Sequence, residues 1–154
     1  MRLTKRSNIS MRVLMYCGVN DQTLVTKSEI AEACNTSENH LAQVINRLAQ
    51  LGFLHTQRGR NGGMRLSRAM NEISVGEVMR ATEASVPITE CFDAKENTCP
   101  LIDACRLRTV IAEATEAFYA VMDKVTLADL VCDNNQLGAI LALPVACPQR
   151  TLHA

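Results

Sequence analysis

TKSEIAEACNTSENHLAQVINRLAQLGFLHTQRGRNGGMRL, residues 26–66, decides the fold. Thr26-Lys27-Ser28-Glu29 is a capping box: the Thr26 hydroxyl accepts from the backbone near Glu29, and the Glu29 carboxylate reaches back. It opens a short helix through Ile30, Ala31 and Cys34, and Asn35-Thr36 makes the turn that follows. Ser37 then caps a longer helix, because Leu41, Val44, Ile45, Leu48 and Leu51 recur at helical spacing until Gly52 stops it. Residues 53–57 are extended, Arg58-Gly59-Arg60-Asn61-Gly62-Gly63 is a glycine-rich turn, and Met64-Arg65-Leu66 is extended again. A short helix, a tight turn, a second helix with a polar outer face and a basic hairpin make a winged helix-turn-helix.

Upstream, Ile9, Met11, Val13, Leu14 and Val19 place a first helix over residues 8–19. Downstream, Ser74-Val75-Gly76-Glu77 is a second capping box, starting a helix that ends near Thr82. Residues 84–103 lack periodicity and hold Pro87 and Pro100, so they read as a loop. From Ala104 the apolar positions Leu107, Val110, Ile111, Ala114, Phe118, Val121 and Met122 trace one helical face for about five turns. Thr126-Leu127-Ala128-Asp129 caps a brief last helix, and the chain after Pro144 reads as a frayed tail. The predicted fold is mainly α with a small β-hairpin wing. It divides into a winged helix-turn-helix over 1–82, a loop over 83–104, a long helix plus short helix over 105–135, and a tail over 136–154.

Composition agrees with a helical protein. Apolar residues make up 47% of the chain, yet there are three Phe, two Tyr and no Trp, so the core must be aliphatic and Met-rich. No apolar run reaches the length of a membrane span, and Met1-Arg2-Leu3-Thr4-Lys5-Arg6 leads into no signal peptide, which predicts a cytoplasmic protein. The zero net charge conceals an asymmetry. Residues 1–70 hold ten Lys/Arg against four Asp/Glu, and residues 71–154 hold six against twelve. A basic N-terminal half is the electrostatic footprint of a phosphate-binding module.

The residues that would read DNA follow from this layout. Ser37, Glu38, Asn39, His40 and Gln43 open the second helix, with Arg47 further along. Asn and Gln pair bidentately with adenine, and Glu accepts from cytosine. In the wing, Arg58, Gly59, Arg60 and Asn61 approach phosphate or the minor groove, with Arg65 beside them.

The second constellation is cysteine. Of seven cysteines, Cys17, Cys34, Cys132 and Cys147 are scattered, whereas Cys91, Cys99 and Cys105 fall within the loop with spacing x7 and x5. In a reducing compartment these are not a disulfide framework. Thiolates select soft metals, and structural zinc sites use close Cys pairs that are absent here. Three widely spaced cysteines suit a 4Fe–4S cluster whose fourth iron takes another ligand. No Ser/His/Asp or Cys/His arrangement suggests catalysis, so an enzyme is not expected.

The opening Met1-Arg2-Leu3-Thr4-Lys5, the Arg58–Gly63 wing, the three-cysteine loop and Thr126-Leu127-Ala128-Asp129-Leu130-Val131 together resemble the Rrf2 family of bacterial regulators. The resemblance covers residues 1–135. It implies a homodimer built on the helix from Ala104, a cluster held by Cys91, Cys99 and Cys105, and binding to double-stranded DNA at an inverted-repeat operator. Cys105-Arg106-Leu107-Arg108 is similar to the family's nitric-oxide-sensing repressors, in which an acid at the position of Asn8 completes the cluster from the partner subunit. Glu90, Asp93, Asp103, a small thiol or water are the other candidates for that fourth place. The Cys91–Cys99 spacing, Asn8 and Met15-Tyr16-Cys17 are similar to the family's iron regulators. The expected function is therefore a cluster-dependent repressor sensing nitric oxide. The alternatives are an iron- or redox-responsive regulator and a cluster-free thiol regulator.

Overall fold

The computed structural model describes residues 3–141. Its elements run α1 (Lys5–Val19), α2 (Lys27–Ala33), α3 (Glu38–Gln50), β1 (Leu54–Gln57), β2 (Gly63–Leu66), α4 (Val75–Glu83), α5 (Arg106–Asp123), α6 (Leu127–Val131) and α7 (Asn135–Ile140). This is the predicted winged helix-turn-helix followed by a long helix. The frayed tail expected after Pro144 lies outside the described residues.

Both threonine capping boxes form. Thr26 Oγ1 accepts from Glu29 N while Glu29 Oε2 accepts from Thr26 N at 2.6 Å, and Thr126 and Asp129 repeat the arrangement at the start of α6. Ser74 forms only half of its box. Its hydroxyl accepts from Glu77 N at 3.1 Å, but the Glu77 carboxylate turns to Arg68 at 2.8 Å, where a charged partner outcompetes an amide. Ser37 stands at the N-cap of α3 with extended backbone and no side-chain cap bond.

Three boundaries differ from the sequence reading. α1 starts at Lys5, capped by the Thr4 side chain, because its first turn is held by a buried polar contact rather than by apolar periodicity. The loop over 84–103 contains single 3-10 turns at Glu90–Phe92 and Ile102–Ala104. α7 forms where a tail was expected, started by Asn134 Oδ1 accepting from Leu137 N at 3.1 Å.

One aliphatic core unites the helix-turn-helix and wing with α4 and α6. Val13 and Leu14 of α1, Ile30 of α2, Leu41 and Leu48 of α3, Phe53, Ile73, Val78 of α4, and Leu127 and Val131 of α6 are all fully buried. Burying a side chain of this size contributes about 1.5–3 kcal/mol. The hairpin pairs Leu54 with Leu66, His55 with Arg65, Thr56 with Met64 and Gln57 with Gly63. Met64 also exchanges backbone hydrogen bonds with Val25 at 2.8 and 2.9 Å, anchoring the wing beside α2.

α5 is different: none of its residues is buried. Its inner side lies against α4, where Arg80 makes a paired ion contact with Glu116 (2.6 and 2.8 Å), reaches Asp123 at 2.9 Å and stacks on Tyr119. Leu107, Val110, Phe118 and Val121 on the other side remain exposed.

Candidate nucleic-acid interface and metal centre

α3 packs against β1 of the wing. Ser37, Glu38, Asn39, His40, Gln43 and Arg47 are exposed, as are Arg58, Gly59, Arg60, Asn61 and Arg65. Among the described residues no protein group hydrogen-bonds the side chains of Asn39, His40, Gln43 or Arg47, which leaves their donors and acceptors turned to solvent. Glu38 is occupied. It pairs with Lys27 Nζ at 2.8 Å and accepts from Ser28 Oγ at 3.0 Å, and the Lys27 and Ser28 hydrogen bonds hold its carboxyl below the ordinary value. That ties α2 to the start of α3 and competes with the base-reading role expected of Glu38.

The wing tip is a five-residue connection over 58–62. Gly59 has φ +113°, which an L side chain rarely adopts, and a Cβ on Gly62 would sit 2.4 Å from Gln57 O. Backbone here approaches itself closely, and Arg58 and Arg60 are carried outward. Sequence reasoning missed two basic neighbours. Lys5 and Arg6, at the start of α1, line a groove of about 280 Å³ with His40, Gln43 and Val86. Their positive charge was legible, but not their position beside α3.

Glu83, the last residue of α4, ties the start of α1 to the point where the cysteine segment begins. Its Oε1 accepts from Thr4 N at 2.8 Å, Thr4 Oγ1 at 2.9 Å and Ser7 Oγ, and Thr82 Oγ1 lies 2.8 Å from Ser7 Oγ. Burial works to raise the Glu83 carboxyl, but the hydrogen bonds from Ser7 and Thr4, with Arg6 nearby, outweigh it and hold the group below its ordinary value.

The candidate metal ligands follow on that segment. Cys91, Cys99 and Cys105 are free and half-buried. Cys91 sits in a 3-10 turn with Thr89 Oγ1 at 3.0 Å from its sulfur, Cys99 N donates to Asn97 Oδ1 at 3.2 Å, and Cys105 is the N-cap of α5. Among the described residues, no three His, Cys, Asp or Glu side chains converge as a metal-binding group. The structure therefore brings neither the three cysteines nor Glu90, Asp93 and Asp103 together into a formed site. Asn8 is exposed on α1. The donor chemistry nonetheless fits a thiolate-bound group: three reduced thiols on one short segment, the last at a helix N-terminus whose first turn carries Arg106 and Arg108 and no acid. Among the described residues, the other two free cysteines do not. Cys17 is buried in the core and its thiol is pushed up to about 12 by burial, with a further push from Cys34, and burial also raises Cys34.

The Rrf2 family profile, described as an iron-dependent transcriptional regulator, matches residues 3–133. The chain belongs to the Rrf2 family. The regulator NsrR of Geobacillus kaustophilus is 43% identical over 142 residues, covering 92% of this chain and 97% of its own. The protein aau3 of Rhizobium meliloti is 42% identical over 143 residues, 93% of each chain. The transcriptional repressor NsrR of Streptomyces coelicolor is 40% identical over 134 residues, covering 85% of this chain and 88% of its own. Among solved structures, T. potens IscR superposes with a TM-score of 0.68 at 23% identity, covering 86% of this Rrf2 chain and 88% of that one. That likeness establishes the fold. No helix among the described residues is long and apolar enough to cross a membrane.

Proposed function

We propose that this Rrf2 regulator is a homodimeric repressor whose affinity for DNA is set by a 4Fe–4S cluster held by Cys91, Cys99 and Cys105, with nitric oxide as the signal. The observation that carries the reading is placement. The three free thiols lie on the one segment that leaves the reading head at Glu83 and passes Val86, which lines the same groove as His40 and Gln43 of α3. The repeated NsrR names among relatives of about 40% identity support the choice of signal.

Each part then has a task. Asn39, His40 and Gln43 read base edges, while Arg47, Arg58 and Arg60 neutralise phosphates, with Ser37, Gly59 and Asn61 setting the approach of the backbone. The exposed face of α5, with Leu107, Val110, Phe118 and Val121, buries itself against a second copy, since an apolar stripe of this length is costly in water. Asn8 of a partner subunit offers the fourth ligand. A cluster held by Cys91, Cys99 and Cys105 would supply iron chemistry reactive toward nitric oxide and oxidants. Gathering the cysteines reshapes residues 84–104, and Glu83 and Val86 pass that change to α1 and α3.

An iron-responsive reading is second, favoured by the neutral Asn8 as a weaker ligand than an acid. Anaerobic reconstitution with ferrous iron and sulfide, followed by titration against a duplex selected from random DNA, separates the readings. Release of the duplex by near-stoichiometric nitric oxide supports nitric oxide sensing. Release by chelation, with nitric oxide effective only in large excess, supports iron sensing. A colourless protein that binds the duplex without iron and loses it only on oxidation supports a cluster-free thiol switch.

A further inference from the structure

One side chain near the cysteines is engaged in a way that neither DNA reading nor ligation uses. Arg108 lies in the first turn of α5, three residues after Cys105. Its Nε donates to the carbonyl oxygen of Cys91 at 3.2 Å, although 17 residues separate the two. Its guanidinium also stands over the Phe92 ring, 5.3 Å from the centroid. The two contacts are independent, one to backbone and one to an aromatic face, and both fasten the same 3-10 turn to the same helix. Arg106, in the same first turn, makes neither contact.

We propose that Arg108 is a positioning residue of the cysteine loop: it fastens Cys91 beside the N-terminus of α5, where Cys105 stands, and keeps a fixed positive charge beside the thiols. The inference rests on the reading that Cys91, Cys99 and Cys105 hold an iron–sulfur cluster, and it assigns this chain's own means of preparing that site. Bringing the ends of a segment together costs conformational entropy, and a clasp made by the chain's own side chains removes part of that cost. Guanidinium suits the task because it is planar, permanently charged and able to stack and donate at once, which an ammonium cannot match. A positive charge next to bound thiolates favours the reduced, more negative cluster and so raises its reduction potential.

Two measurements on the full-length protein test this. In the metal-free, reduced protein, cleavage by a glutamyl endopeptidase after the exposed Glu96 reads how firmly the loop is held. Cleavage is expected to be several-fold faster in Arg108→Ala and in Arg108→Lys than in the wild type, and unchanged in Arg106→Ala. In the protein reconstituted with ferrous iron and sulfide, the reduction potential is expected to move negative in Arg108→Ala and to stay at the wild-type value in Arg108→Lys, which retains the charge. Equal cleavage of Arg108→Ala and wild type overturns the proposal, and an unmoved potential in Arg108→Ala overturns its electrostatic half. A wild-type protein that takes up no iron and sulfide instead overturns the cluster reading, and the cleavage comparison still decides whether Arg108 holds the loop.

Discussion

The backbone N–H of Thr4 donates to the carboxylate of Glu83 at 2.8 Å across 79 residues of sequence, joining the first residue ahead of α1 to the last turn of α4. Thr4 simultaneously caps α1 through Ser7 N, and fully buried Ser7 donates to the same carboxylate oxygen. A buried charge is tolerated only when hydrogen bonds replace its lost water, and here three donors converge on it. The cysteine segment begins one residue later. The start of the cysteine segment and the N-terminus of α1, which lines the groove with His40 and Gln43, are therefore fixed to one another by a single side chain.

Replacing Glu83 by Gln should destabilise the protein at neutral pH by about 1–3 kcal/mol, as expected when a charge-assisted buried network loses its charge. The pH dependence follows from the lowered carboxyl. A group whose folded value lies below its unfolded value contributes stability that is present above the unfolded value, near 4.5, and is lost as pH falls through the folded one. The gap between wild type and Glu83→Gln, measured by urea denaturation, should be full at pH 7 and close progressively below pH 4.5. A constant gap across that range would show that the carboxylate charge is not what stabilises the contact.

Arg60→Ala should weaken binding to any duplex and reduce the slope of log K against log salt by roughly one phosphate contact, with little change in sequence preference. Gln43→Ala should do the reverse, relaxing preference at one base position at a cost of about 1–3 kcal/mol while leaving the salt slope alone. Fluorescence anisotropy over a salt series separates the two. An unaltered slope for Arg60→Ala removes the wing from the contact set.

Single replacement of Cys91, Cys99 or Cys105 by Ala should abolish uptake of iron and sulfide, whereas Cys34→Ala should retain it. Cys34 contributes its carbonyl, which accepts from Arg12 at 3.1 Å and from Thr36 Oγ1 at 3.1 Å, and a backbone oxygen survives the substitution. Iron and acid-labile sulfide per protomer, with visible absorbance, report the outcome. Equal loss in all four variants would falsify the ligand assignment.

What was legible in the sequence was local. Thr26 with Glu29 and Thr126 with Asp129 announce their helices because the partners are three residues apart, and the apolar spacing of α3 and α5 fixes their faces. The start of α1 was missed because Ser7 looks like a solvated residue until Glu83 is brought onto it from the far end of the winged region. The engagement of Glu38 with Lys27, eleven residues back and on another helix, was not legible for the same reason: it has no periodic signature. α7 rests on one Asn134 cap and a short apolar pair, too little pattern to distinguish from a tail. The cysteine spacing pointed to a metal, but spacing along a loop does not specify convergence, and among the described residues no three His, Cys, Asp or Glu side chains come together as a metal-binding group.

The fold leaves one face of α5 bare. Leu107 is 65% exposed and Val121 66% exposed, and they lie on the same side of α5 with Val110 and Phe118 between them. The helix is fastened to its own chain from the opposite side, by Arg80 to Glu116 and Asp123. A charge placed on the bare side therefore leaves the fold of one chain intact while burying an unpaired carboxylate in any interface formed there. Leu107→Asp combined with Val121→Asp should give a monomer in analytical ultracentrifugation with a far-ultraviolet circular dichroism spectrum close to the wild type. The same variant should lose tight operator binding, because one reading head engages only one half-site. If the doubly substituted protein still sediments as a dimer, the α5 face is not the interface, and the source of a partner's Asn8 must be sought on another surface.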